Sequence, residues 1–302
     1  MAPGPEAVTT AGLREIEVVD PPTGQAFPVW VMYPATVAER AVALGRYPAS
    51  LAPGAPPAAG RFPLVVLSHG TGSSPFLHRV LAAHLARSGF VVALPRHPGN
   101  HRDDDSLAGT AQILAARPRQ VSAAVDAVSA DDVLGACVSA DGVGVVGHSL
   151  GGYTALAVAG GRPTAFGRET PDGRPAPVPV TPDDRVRAVV LLAPATPWFR
   201  EPGSLADVRV PVLLFTGSED EHTGAWHAGL VVDGVADPAT VDARVVEGAG
   251  HFSFLSPFPP ELAGPPPSVD PPGFDRDAFS ERLLRDVAAF LERELRSQVR
   301  SG

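Results

Sequence analysis

A serine lies on a sharp, glycine-flanked turn near the middle of this 302-residue chain. A short apolar run, residues 143–146, ends at Gly147, Ser149 follows two positions later, and residues 150–156 are small or favour a helix. A Gly-x-Ser-x-Gly sequence between a strand and a helix is typical of a nucleophilic serine. Gly147 and Gly151 leave room for the backbone to turn, and a helix N-terminus stabilises a developing negative charge. We therefore predict that Ser149 is a nucleophile; the alternative is an ordinary solvated serine in a glycine-rich turn.

A serine hydroxyl needs a base within hydrogen-bond reach to react at neutral pH. Among nine histidines, His251 directly follows a predicted strand, residues 243–247, on a Gly-Ala-Gly-His loop. The acid that orients this histidine is expected after the preceding strand, where Glu219 and Asp220 are both candidates. We favour Asp220, which lies three residues past Gly217. The order Ser, Asp, His along the chain is that of the α/β-hydrolase fold.

Acyl transfer also requires two backbone N–H groups that bind the oxyanion. Leu150, the residue after the nucleophile, is expected to provide one of them. Thr71 is expected to provide the other, because it follows His69 and Gly70 in the loop after an apolar strand. Three aromatic residues beside these segments are candidate pocket residues, although each could equally pack in the core: Phe76, Trp198 and Phe252.

Apolar runs that alternate with amphipathic segments must position these residues. Continuous apolar runs bounded by turn residues predict buried parallel strands at residues 62–67 and 90–95. Further strands are predicted at residues 143–147, 187–193, 210–216 and 243–247. Helical spacing predicts helices at residues 76–88, 120–134, 152–159, 225–230 and 276–296. Alternating residues at 13–20 and 26–33 predict an antiparallel hairpin. We predict an α/β-hydrolase fold, with a mostly parallel central sheet flanked by helices and an N-terminal antiparallel hairpin.

The chain is expected to form one domain. Residues 1–12 are rich in Pro, Gly, Ala and Thr and are predicted to be disordered, with a single domain over residues 13–302. Residues 34–61 are predicted to be a surface excursion with a weak helical signal at 37–44. Residues 160–184 and 256–273 are rich in proline, and we expect them to be loops that cover the site.

The composition excludes several classes of partner. The formal net charge is −9, without a basic patch, which argues against nucleic acid and anionic membrane surfaces. The N-terminal residues lack the pattern of a signal peptide and the chain lacks an 18-residue apolar run, so we expect a cytoplasmic protein. Cys137 is the single cysteine, so no intrachain disulfide can form. The His and Asp residues in loop 97–105 lack the spacing of metal ligands, and neither a metal nor another cofactor is expected.

Several motifs together resemble the α/β-hydrolases of the platelet-activating-factor acetylhydrolase and predicted dienelactone hydrolase group. They lie at residues 30–34 (WVMYP), 67–70 (LSHG), 95–100 (PRHPGN), 117–118 (RP), 147–152 (GHSLGG) and 250–252 (GHF). The resemblance implies hydrolysis of small acyl esters or lactones without a cofactor. It also implies a triad of Ser149, Asp220 and His251, with Thr71 and Leu150 as oxyanion donors.

The chain departs from that group at two points. Dienelactone hydrolases proper use a cysteine nucleophile, whereas this chain has Ser149. The secreted lipid-acting members have signal peptides and membrane-binding helices, neither of which is evident, so phospholipid substrates are not expected. The chain suits a bacterial cytoplasmic enzyme.

The leading hypothesis is a serine hydrolase that cleaves carboxylic esters, either small acyl esters or lactones, through an acyl-enzyme. An acyltransferase, cyclase or amidase could use the same acyl-enzyme, with an amine or alcohol in place of water or with an amide as substrate. A binding module that retains the fold is a further alternative, disfavoured by the presence of all three triad residues. The sequence does not determine the oligomeric state.

Overall fold

The computed structural model describes residues 10–296, apart from the side chains of Ala140 and Asp141. The strands are β1 (Thr10–Asp20), β2 (Gln25–Ala35), β3 (Arg40–Leu44), β4 (Tyr47–Pro53), β5 (Phe62–Ser68), β6 (Val91–Pro95), β7 (Val138–His148), β8 (Thr164–Ala165), β9 (Ala176–Pro177), β10 (Val186–Leu192), β11 (Val212–Gly217) and β12 (Val241–Val246). The α-helices are α1 (Arg79–Arg87), α2 (Ala111–Ala130), α3 (Leu150–Val158), α4 (Trp226–Gly234) and α5 (Arg276–Arg296).

Within residues 10–296, ten strands form one sheet in the order β12-β11-β10-β7-β5-β6-β2-β1-β4-β3. The six strands from β12 to β6 are parallel, and β2 then pairs antiparallel with β6. The chain moves from β5 to β6 in one direction and from β7 to β10 in the other. Ligands bind at such a reversal, beyond the carboxyl ends of the strands. The end of β7 is therefore the expected position of a site.

The central strands are buried because helices cover both faces of the sheet. Every residue of β5 and β6 is buried, as their continuous apolar sequences predict. Val121 of α2 and Leu156 of α3 belong to the core on one face. Leu85 of α1 and Leu291 of α5 belong to the core on the other face. The result is a three-layer arrangement of helices, sheet and helices.

Helix α2 begins nine residues before the predicted start at residue 120 and contains a proline. Thr110 caps it by accepting a hydrogen bond from the Ile113 N–H at 3.3 Å. Pro118 has no N–H to donate to the Leu114 carbonyl oxygen one turn earlier. The Tyr153 hydroxyl donates to that oxygen at 3.0 Å instead. A side chain of α3 therefore satisfies the backbone group that the proline leaves free.

The N-terminal part of the sheet confirms the predicted hairpin and corrects the prediction for the segment that follows it. Strands β1 and β2 pair antiparallel over their full length. Residues 34–61, predicted as a surface excursion with a helical signal, contain the β3–β4 hairpin at the sheet edge. Pairing between β1 and β4, with Gly12 opposite Ala52, stabilises this hairpin through a contact that local sequence does not reveal.

The structure shows regular elements in parts of the segments predicted to be disordered or to be covering loops. Most of the predicted disordered segment, residues 1–9, lies outside the described residues, whereas residues 10–12 begin β1. Residues 160–184 contain the two-stranded β8–β9 sheet and a 3₁₀ helix, Gly167–Glu169. Residues 256–273 contain a 3₁₀ helix at Pro260–Leu262 and are otherwise irregular. No helix in the described range is long and apolar enough to cross a membrane.

Candidate active site

Ser149 occupies the turn between β7 and α3. Its φ of 55° is rare for a residue other than glycine, and such strain persists where the surrounding structure enforces it. A Cβ added at Gly147 would collide with the Gly151 carbonyl, and one added at Gly151 would collide with the Ser68 carbonyl. The flanking glycines are thus required by close backbone contacts. The turn leaves Ser149 partly exposed at the centre of the sheet's carboxyl edge.

His251 and Asp220 form a buried pair on the loops after β12 and β11. The His251 Nδ1–H donates to Asp220 Oδ2 at 2.9 Å. Asp220 also accepts from the backbone N–H groups of His222 and Thr223, each at 2.8 Å. Burial opposes ionisation of Asp220, but the hydrogen bonds from His251 and Thr223 outweigh it and hold the carboxyl pKa well below its ordinary value. The alternative acid, Glu219, is exposed.

Thr223 is a member of this cluster that the sequence did not single out. Its hydroxyl lies 2.8 Å from Asp220 Oδ2 and 3.1 Å from both His251 Nδ1 and the Ala193 carbonyl oxygen. The sequence feature that could have predicted this role is the spacing in the Asx-type turn from Asp220 to Thr223. A hydroxyl three residues after the acid lies on the same side of such a turn. Thr223 ties the carboxylate and the imidazole to the loop after β10.

Ser149 and His251 both line a cavity of about 960 Å³ at the carboxyl edge of the sheet. Across the described residues, no hydrogen bond joins the Ser149 hydroxyl to the His251 ring. Such contacts are often long before a substrate binds. With Asp220 bound to Nδ1, the His251 tautomer leaves the Nε2 lone pair available to accept a proton.

His148, which precedes the serine, packs beneath the turn. Its Nε2–H donates to the His251 carbonyl oxygen at 3.0 Å. Burial, and secondarily the nearby His251, lowers the pKa of His148 well below its ordinary value, so the ring is neutral. This hydrogen bond links the serine turn to the histidine loop, which lies 103 residues further along the chain.

The expected oxyanion donors belong to two segments that adjoin Ser149. Thr71 lines the cavity, and Leu150 is the first residue of α3, where backbone N–H groups have no acceptor within the helix. Gly70 lies against the serine, since a Cβ added there would be 3.2 Å from the Ser149 Cβ. The loop that carries Thr71 therefore runs directly beside the candidate nucleophile.

A buried polar network supports the Thr71 loop, and the sequence did not predict it. Asn100 donates to the Thr71 hydroxyl at 2.7 Å and accepts from the Arg117 guanidinium at 2.7 Å. Arg117 is fully buried and also donates to the Thr154 hydroxyl at 3.0 Å and to the His69 carbonyl oxygen. Burial lowers the pKa of Arg117, which has only neutral direct partners.

His97 completes this network in one tautomer. Its Nδ1 lies 2.8 Å from the Gln120 side-chain oxygen, which can only accept. The Nε2 atom therefore accepts from the Ser68 hydroxyl at 2.9 Å. The Arg117 guanidinium in turn donates to the same Ser68 oxygen at 3.1 Å. Every member of the network has a partner, which holds the β5 end and its loop in one conformation.

Of the three aromatic residues predicted for the pocket, the structure places one in the cavity and two outside it. Phe252 lines the cavity. Phe76 lies outside it, with its ring centroid 4.5 Å from that of Trp30. Trp198 also lies outside it, because its ring packs 5.0 Å from Tyr153 and its N–H donates to Glu169. Both rings are partly buried and pack against the hydrophobic core.

Other aromatic and basic side chains line the cavity without having been predicted. They are Phe166, Trp226, Arg102, Arg168 and Arg200. Nothing local in the sequence marks them, because they come from three loops and the start of α4, which only the fold brings together. No group of three or more His, Cys, Asp or Glu side chains in the described part of the chain is arranged to hold a metal ion.

Comparisons with known proteins agree with this fold. The family model described as chlorophyllase matches residues 32–166, somewhat less than half of the chain. A ferulic acid esterase from Streptomyces cinnamoneus has a similar structure, with a TM-score of 0.68 and 21% sequence identity over 97% of this chain and 92% of that one. A search of curated proteins found no match. The mostly parallel sheet and the structural match confirm the predicted α/β-hydrolase fold.

Proposed function

We propose that this protein is a serine hydrolase that cleaves carboxylic esters. The observation that carries the proposal is the Asp220–His251 hydrogen bond of 2.9 Å, with His251 and Ser149 lining one cavity. The names of the matched proteins, a chlorophyllase family and a ferulic acid esterase, support an ester as substrate. The motif resemblance supports small acyl esters or lactones within that class, and a cavity of about 960 Å³ accommodates a small molecule.

In the first half-reaction, the Ser149 oxygen attacks the ester carbonyl carbon. His251 Nε2 takes the hydroxyl proton while its Nδ1–H remains bound to the ionised Asp220. The carbonyl oxygen gains negative charge, which the N–H groups of Thr71 and Leu150 stabilise. As the tetrahedral intermediate collapses, the bond to the alcohol oxygen breaks, and that oxygen takes the proton from His251. The products are an acyl-serine and a free alcohol.

In the second half-reaction, water replaces the alcohol. His251 removes one proton from the water, whose oxygen attacks the acyl carbon. The bond to the Ser149 oxygen then breaks and the serine recovers its proton from His251. The acid leaves and the enzyme returns to its starting state. In each half-reaction His251 takes up one proton and gives it away again, so these steps need no cofactor.

Hydrolysis of 4-nitrophenyl acetate and butyrate tests the proposal. We expect the wild-type protein to release 4-nitrophenol. In Ser149→Ala we expect the rate of release to be lower by a factor of about 10³ or more. Ser73→Ala is the matched control, because Ser73 lines the same cavity without a place in the mechanism. A fluorophosphonate probe should label the wild type and Ser73→Ala but not Ser149→Ala. Equal rates for wild type and Ser149→Ala would overturn the assignment.

A further inference from the structure

The cavity beside Ser149 is electropositive in an otherwise acidic protein. The formal net charge of the chain is −9. Arg102, Arg168 and Arg200 nevertheless line this cavity, and among the described residues no Asp or Glu lines it. A cleft lined by charges of one sign concentrates the opposite charge within it. The walls therefore favour an anion.

Arg168 and Arg200 are arranged on one wall by aromatic rings. The Arg168 guanidinium lies 4.6 Å from the Phe166 ring centroid, and that of Arg200 lies 4.5 Å from the Trp226 centroid. Arg200 also lies 5.8 Å from the Phe166 ring, so the two cations share one aromatic neighbour. Stacking on a ring orients a guanidinium and leaves its N–H edge available for a bidentate contact.

The carboxylates of the protein compensate little of the positive charge of Arg168 and Arg200. The nearest carboxylate to Arg168 is Glu169, at 4.0 Å. That carboxylate already accepts hydrogen bonds from the Trp198 N–H at 2.9 Å and from the Phe166 N–H at 2.8 Å. Within residues 10–296, no carboxylate lies within ion-pair distance of Arg200. Two cations near one another with little compensation favour a bound anionic group.

Arg102 lies on a different wall, next to the loop that carries Thr71. Its backbone N–H donates to the Ser73 carbonyl oxygen at 2.8 Å. Its guanidinium donates to the Tyr47 hydroxyl at 3.3 Å. The described part of the chain places no carboxylate within ion-pair distance of it. The positive charge thus extends around the cavity, and Arg168 and Arg200 are the two cations that share the Phe166 ring.

We propose that the substrates are esters that carry an anionic group, a carboxylate or a phosphate, bound by Arg168 and Arg200. An apolar portion of the ester would lie against Trp226 and Phe166, between this wall and Ser149. This inference rests on the proposed ester hydrolase function and narrows its substrate class. It requires no chemistry beyond the two half-reactions already described.

Two esters of matched length test the inference by kinetics. One is 4-nitrophenyl pentanoate, and the other is mono-4-nitrophenyl glutarate, which has a carboxylate at the end of the same chain. We expect the ratio of kcat/KM for glutarate over pentanoate to fall about tenfold in the double variant Arg168→Gln/Arg200→Gln. Arg174→Gln is the matched control, since Arg174 lies on the same insertion but does not line the cavity. An unchanged ratio in the double variant would overturn the inference.

A binding measurement separates this inference from the proposed function. Benzoate, phenyl phosphate and the neutral benzamide are titrated by calorimetry into the wild type and the double variant. We expect at least one anion to bind the wild type about tenfold more tightly than benzamide, and the preference to weaken at high salt. Benzamide binding as tightly as both anions would contradict an anion site. Hydrolysis of neither ester, with anion binding intact, would instead refute the hydrolase function alone.

Discussion

Asn100 holds Thr71 through a hydrogen bond of 2.7 Å from its side-chain amide to the Thr71 hydroxyl. The same amide accepts from Arg117, so the loop beside Ser149 is connected to a buried cation on α2. In the proposed reaction the Thr71 N–H binds the oxyanion, and such a donor is effective only if its position is set before the reaction. The hydrogen bond from Asn100 sets that position.

Replacing the Thr71 hydroxyl should therefore slow the chemical step. Thr71→Val keeps the backbone N–H and the side-chain shape but removes the acceptor for Asn100. We expect kcat to fall about tenfold with little change in KM, because the lost interaction acts mainly on the transition state. Thr71→Ser restores the hydroxyl and should recover most of the rate. Steady-state kinetics that show no difference between the two variants would rule out this positioning role.

Arg117 should be a major contributor to stability. Arg117→Met would leave the Asn100 side-chain oxygen and the His69 carbonyl without their donor in a buried region. We expect the free energy of unfolding to fall by about 3 kcal/mol. Arg174→Met replaces an exposed arginine and should change it by less than about 0.5 kcal/mol. Urea unfolding followed by circular dichroism measures both, and equal values for the two variants would contradict the network's role.

The Asp220 carboxylate should be essential for turnover, whereas Glu219 should not. Asp220→Asn removes the acceptor that holds the His251 tautomer, so we expect kcat/KM to fall about 10³-fold or more. Glu219→Gln is the matched control at an exposed neighbouring position and should retain activity within about twofold. Both variants are assayed with 4-nitrophenyl butyrate. The reverse order of activities would show that the wrong carboxylate had been assigned.

His78 should make the protein less stable in acid. It is fully buried, neither ring nitrogen has a hydrogen-bond partner among the described residues, and burial lowers its pKa to about 3. An unfolded histidine has a pKa of about 6.5, so between these values the unfolded state binds more protons. The free energy of unfolding therefore decreases as the pH falls from about 6.5 toward 3.

Two variants test this dependence. At pH 5 the cost for one such histidine is about 2 kcal/mol relative to pH 8. His78→Leu and His78→Phe both remove the titrating group, so each should gain about that amount relative to wild type between pH 8 and pH 5. Urea unfolding at the two pH values measures the gain. Because the two apolar residues differ in size, an effect that both variants share comes from the lost titration and not from packing. If both variants keep the wild-type pH dependence, His78 does not cause it.

Local sequence determined the elements and the residues at their ends. Backbone contacts within one turn and its neighbouring strand require the glycines around Ser149. A short motif was therefore sufficient to predict the turn between β7 and α3. Continuous apolar runs predicted the buried strands, because strands covered on both faces consist mainly of apolar residues. His251 could be selected because it follows the strand predicted at residues 243–247. These features depend on residues close together in the chain.

The tertiary structure decided which of the remaining side chains meet. It pairs His251 with Asp220 and leaves Glu219 exposed, although both acids follow the same strand. It converts residues 40–53 into a hairpin through pairing with β1. It packs Trp198 against Tyr153 and not in the cavity. Each outcome depends on the packing of segments distant in sequence, and no local pattern encodes that packing.

Packing of distant segments also explains why the sequence did not predict the cavity wall that carries Arg168 and Arg200. Arg168 lies in the insertion after α3, Arg200 in the loop after β10, and Trp226 at the start of α4. Each is an ordinary exposed residue in its own segment, and only the folded chain brings them to one side of Ser149. The sequence by itself was sufficient to predict a nucleophile, Ser149, at the end of β7. The charge of the molecule that it meets depends on side chains that only the fold assembles.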